Sequence, residues 1–187
     1  MNEKKTNKKI IGLLLSICIL GALILFLITV AGVFLSKSIS KRNDFSAYRE
    51  DFEIVENIIV EDYLQNLQNY SKDEFVYYEI IYNSDTGLYS YKRFYSDNAV
   101  EIDSKYNASI GNIYTAYSNL TTDAWCGYIA IRGKESVFWN YESGYGRIIH
   151  SLNGEIPSDI MGSKDKYTYF YVLGKDWYAF LPKRHYR

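Results

Sequence analysis

From Ile10 to Leu35 the chain carries no charged side chain, and its only polar ones are Ser16, Cys18 and Thr29. Eighteen of these twenty-six residues are Leu, Ile, Val or Phe. As a helix rising ~1.5 Å per residue, the run spans roughly 39 Å, against a hydrocarbon core of about 30 Å. A core helix of a domain this size is shorter and has a polar face, so the run is expected to be a transmembrane helix over residues 10–35. A cleaved signal peptide is the competing reading. Its apolar region is usually only about 7–15 residues and ends in a small-x-small site, so an uncleaved anchor is expected.

The flanks orient the anchor. Residues 1–9 form a basic tail with Lys4, Lys5, Lys8 and Lys9, while Lys37, Lys41 and Arg42 follow the span. The positive-inside rule favours a cytoplasmic N-terminus and an outward C-terminal domain at the cell membrane. Residues 36–43 read as a juxtamembrane linker and 44–187 as one extracytoplasmic domain. The near-neutral total hides an asymmetry. The first forty-two residues carry seven Lys and Arg against one acid, or +6, which leaves fourteen against twenty-one, or −7, for the remainder. An acidic domain is the wrong footprint for nucleic acid, so the expected partners are the lipid bilayer, through residues 10–35, and a protein or cell-wall component. Only Cys18 and Cys126 are present, and on this topology they cannot pair. An outward domain without a disulfide is ordinary for a Gram-positive surface protein, and the Lys, Asn, Ile and Tyr bias points to an AT-rich bacterial genome.

The domain reads as α+β: two main helices packed on a mostly antiparallel sheet. Phe45, Tyr48, Phe52, Val55, Ile59, Tyr63 and Leu67 recur at three- and four-residue steps and predict a helix over 44–68 capped by Asn43 or Asp44. Tyr106, Ile110, Ile113, Tyr117 and Leu120 predict a second over 104–120, capped by Asp103 or Ser104. Runs rich in aromatic and β-branched residues predict strands at 75–82, 88–95, 128–132, 136–141, 147–152, 168–173 and 177–181, joined by short turns. Ser71-Lys72-Asp73-Glu74 is also a capping-box pattern, which places a competing helix start just before the first strand.

Catalytic and metal signatures are weak. Cys126 and His150 together suggest a thiol hydrolase, but such a site needs a third group to orient the base, and no flanking motif supplies one. Cys126 reads more simply as a small buried residue beside Trp125. His150 and His185 are the only histidines and lie outside any metal-ligand spacing, and Asn83–Gly87 fits a hairpin turn better than a calcium loop, so no cofactor is expected. Trp139, Tyr141 and Tyr145 are the candidate binding surface, because exposed aromatic rings stack on sugars and on protein partners. Core packing competes for the same residues and is the expected place of Trp139, since the sheet needs a covered face, while Tyr141 is left open between the two. The leading functional expectation is a single-pass, membrane-anchored envelope protein with an outward, non-enzymatic interaction or ligand-binding domain. An accessory subunit of a membrane complex and a cell-wall enzyme using Cys126 are the competitors.

Overall fold

The computed structural model describes residues 3–71, 74–94, 96–121, 125–139, 146–155 and 168–182. It divides into two units, residues 1–40 and 41–187.

The first unit is helical. Helix α1 runs from Glu3 to Ser46, continuing past the apolar run. Residues 36–43, the expected juxtamembrane linker, are helical. No Gly or Pro lies between Ser36 and Ser46, and extending an existing helix needs no new nucleus. From Leu15 to Leu35 the large apolar side chains are all exposed, from 36% at Val30 to 67% at Leu25. The helix is long and apolar enough to cross a membrane.

The second unit is α+β. Chain order gives α2 (Arg49–Gln65), a 3₁₀ turn (Leu67–Asn69), β1 (Phe75–Asn83), β2 (Leu88–Arg93) and β3 (Val100–Glu101). A second 3₁₀ turn (Ser104–Tyr106) leads into α3 (Asn107–Thr121). Then come β4 (Tyr128–Arg132), β5 (Ser136–Trp139), β6 (Arg147–Ser151), β7 (Thr168–Gly174) and β8 (Trp177–Pro182). The eight strands form one sheet in the order β3-β2-β1-β4-β5-β6-β8-β7, every pairing antiparallel.

Strand parity sorts the side chains into two layers. Val76, Tyr78 and Ile80 of β1, Ile129 and Ile131 of β4, Val137 and Trp139 of β5, and Trp177 and Ala179 of β8 join one core with the buried stripes of α2 and α3. Alternate residues Ala130, Phe138, Ile149 and Phe180 form a second, smaller core, with half-buried Phe75, Tyr77, Phe170 and Tyr178 packed on it. The central strands are thus apolar on both faces, which is why β5 is buried at every position. The Tyr117 hydroxyl, donating to the Gly146 carbonyl, ties α3 to the chain entering β6.

Several boundaries differ from the sequence pattern. The stripe starting at Phe45 is split: Ala47 and Tyr48 form a turn between α1 and α2. Tyr48 precedes α2 without a side-chain cap, so neither Asn43 nor Asp44 caps it. Asp103 does cap its turn, accepting from Lys105 N at 3.0 Å. At the competing helix start, Ser71 N and Oγ both donate to Glu74 Oε2, at 3.1 and 3.2 Å, so the capping contact forms. The chain nonetheless enters β1, because Phe75 onward is held between β2 and β4. Asn83 Oδ1 accepts from Asp85 N at 2.9 Å and Gly87 takes φ +69°, which makes Asn83–Gly87 a hairpin turn. The two-residue β3 was not expected; it is too short to leave a period.

Gly127 is a position where glycine is required. Its φ is +80°, its carbonyl accepts from Ile80 N at 2.8 Å, and a Cβ would lie 2.7 Å from the Ile80 carbonyl oxygen. Gly127→Ala should therefore destabilise the domain by more than the ~1 kcal/mol of the left-handed conformation alone. Chemical denaturation of the two proteins measures this, and an unchanged midpoint would refute the close approach.

Candidate functional site

Trp139 is wholly buried in the helix-side core, against Phe52 at 4.8 Å in edge geometry and Trp125 at 5.6 Å. It is not on a surface, and no ring face is left for a ligand. It shares parity with Val137, and that side of β5 lies under the helices. Tyr141 and Tyr145 lie outside the described residues, as does His185. Cys126 is exposed, not buried. Trp125 next to it takes the buried place, and the turn at Gly127 directs the chain into β4.

His150 is engaged elsewhere than Cys126. Its Nδ1 lies 2.6 Å from Glu56 Oε1. Glu56 sits one turn after Phe52 on the inner stripe of α2, and its side chain is 5% exposed, with His150 at 20%. The sequence offers Glu56 as one of four acids in the first half of the helix, with Glu50, Asp51 and Glu53, where the helix dipole favours them, and His150 as a possible base or metal ligand. The signal that joins them was available in part: Glu56 follows Phe52 by four residues, and so lies on the apolar stripe.

The surroundings are aromatic. The His150 ring stacks on Trp177, its cross-strand partner, with centroids 4.2 Å apart and planes 7° from parallel. The Trp177 indole Nε1 is buried without a hydrogen-bond partner, and the Trp139 indole lies near enough to the Glu56 carboxyl to act on it. Burial pushes the Glu56 carboxyl above its usual range; His150 and the Trp139 indole pull it back, and burial wins. Among the described residues no cluster of three or more His, Cys, Asp and Glu side chains is placed to hold a metal ion.

A second feature is open to solvent. A groove of about 410 Å³ lies at one end of β1 and β2, lined by Tyr70, Glu74, Phe75, Val76, Tyr77, Arg93, Phe94 and Ser96. Arg93 Nη1 donates to the Tyr70 hydroxyl at 2.7 Å, and its Nε lies 3.6 Å from Asp62 Oδ2. The Tyr78 hydroxyl also donates to Asp62 Oδ2, at 2.8 Å. Burial and the Asp62 carboxylate hold the Tyr78 phenol far above its usual range, so it remains a donor at any physiological pH. This network fixes the guanidinium beside the groove. Phe94, 39% exposed, stands at its edge, 5.9 Å from Tyr77. The groove's size is that of a small-ligand site, and it offers apolar rings with a few oriented polar groups.

Comparison of the chain with models of known protein families, with curated proteins and with solved structures finds no match.

The sign of the Glu56 effect is testable. A folded carboxyl that holds its proton more tightly than the unfolded one loses stability as pH rises from the unfolded value, about 4.3, through the raised folded value. In a His150→Gln background only the carboxyl titrates. There, adding Glu56→Gln should leave stability nearly unchanged at pH 4. The gain should grow by ~1.4 kcal/mol for each pH unit until the folded value is passed. Urea denaturation across pH 4–9 measures the difference, and a gap that does not change with pH would show that no buried charge is being relieved.

Proposed function

We propose that this chain is a single-pass, membrane-anchored envelope protein whose second unit is an outward-facing, non-enzymatic interaction or ligand-binding domain. The observation that carries this reading is α1: a helix whose large apolar side chains from Leu15 to Leu35 are all exposed, which is tolerable in lipid and costly in water. The charge split between the basic first forty-two residues and the acidic remainder supports an inside N-terminus at the cell membrane. The groove beside Arg93 supports the ligand-binding half of the proposal. A Cys126 hydrolase finds no support in the contacts of His150, which are with Glu56 and Trp177 and not with Cys126.

Protease added to intact protoplasts should remove the domain and leave a membrane-protected fragment containing α1. Full protection until lysis would reverse the orientation. A chain lacking residues 1–40 should be recovered as a soluble, cooperatively folding domain, since the core described above is contributed from Phe45 onward. Recovery only as aggregate would point instead to a large apolar surface covered by a partner subunit.

A further inference from the structure

The last turn of α1 enters the core of the second unit through one residue. Phe45 is 1% exposed, and its ring lies 5.0 Å from Trp177 and 5.6 Å from Phe52. Among the described residues Trp177 has three ring neighbours: Phe45, Phe52 and, stacked on it, the imidazole of His150. His150 in turn is held by Glu56 on α2. Phe45, Trp177, His150 and Glu56 form an unbroken series of contacts, from the place where the chain leaves α1 to the inner face of α2.

A polar pair is an unexpected choice at this point. Apolar residues of similar volume would fill the space without burying a carboxyl and an imidazole in it. Among the described residues the other charged group acting on Glu56 is Glu53, on α2 itself, and Arg49 partly neutralises it at 2.6 Å. The neighbouring faces of β5 and β8 present the Trp139 and Trp177 indoles, and α1 presents Phe45; none of these titrates.

We propose that Glu56 and His150 form a proton-operated latch on the seat of Phe45, closed near neutral pH and opened by acidification. With one proton shared between them the pair has no net charge, whether as carboxylate with imidazolium or as carboxylic acid with imidazole. A second proton gives a carboxylic acid beside an imidazolium. No anion then compensates the imidazolium, which is mostly enclosed. His150 is the member nearer water, so it relieves the charge by turning outward. Doing so unstacks it from Trp177 and loosens the ring on which Phe45 rests, leaving Phe52 as the remaining packing partner of both. The acid-sensitive element is thus the segment from the end of α1 through the first half of α2.

Hydrogen exchange on the full-length chain in detergent micelles tests this, with rates corrected for intrinsic pH dependence. Between pH 7.5 and 4.5, protection of residues 44–56 should fall about tenfold, while α3 keeps its protection. His150→Gln, which keeps a hydrogen-bonding partner for Glu56 but cannot become cationic, should abolish the fall. Glu56→Gln, which leaves the imidazole without an anion in every state, should keep the fall, with a midpoint no lower than that of the wild type. An equal loss in α3, an unaltered fall in His150→Gln, or no fall in the wild-type chain would overturn the latch. If His150→Gln fails to fold, Glu56→Gln decides alone, and either the absence of a fall or a midpoint below that of the wild type overturns the proposal.

Discussion

The fold depends on one ring. Phe52 is fully buried on α2 and meets Trp139 of β5 and Trp177 of β8 edge-on, at 4.8 and 5.9 Å. β6 lies between those two strands in the sheet, so a single side chain bridges three strands to the helix layer. Edge-to-face pairs of this kind add ~0.5–1.5 kcal/mol each beyond the area they bury. Truncating any member leaves a cavity that the other large rings cannot collapse to fill. Phe45 adds a fourth ring to the same cluster and connects it to the end of α1.

Beside that apolar contact lies its polar counterpart. Glu56 comes one helical turn after Phe52 and so must point the same way, into the core. A lone carboxylate there would be costly, and His150 offsets the cost from the opposite layer. The aromatic cluster sets how closely α2 approaches the sheet, and at that distance the carboxylate and imidazole meet. Packing energy and proton chemistry are therefore coupled in one place. The groove at the far end of β1 is built differently. Its guanidinium is oriented by Tyr70 and Asp62, which are themselves partly buried, and its aromatic edge faces water.

Local patterns carried most of the elements. Tyr128–Arg132 emerged as a strand with the limits its composition implied, because its short apolar run is bounded by turn residues on both sides. The stripe Ile110, Ile113, Tyr117, Leu120 is buried as its period required. The failures have local causes too. The capping contact between Ser71 and Glu74 forms and still yields no helix, since strand pairing on both sides of β1 outweighs a cap. The helix start assigned to Asn43 or Asp44 failed because α1 was already propagating through those positions.

By itself the sequence determined the long apolar helix, the α+β class, the antiparallel hairpins and the helical stripes. All of these follow from periodicity and turn chemistry over windows of a few residues. The tertiary structure alone decided three things. It inserted β8 between β6 and β7, a pairing that follows from no hairpin between consecutive strands. It put Trp139 in the core, since the pattern showed that one face of β5 is apolar without showing which layer would cover it. And it joined Glu56 to His150 across ninety-four residues, because a contact between a helix stripe and a strand face depends on how the layers are stacked, which no local period encodes.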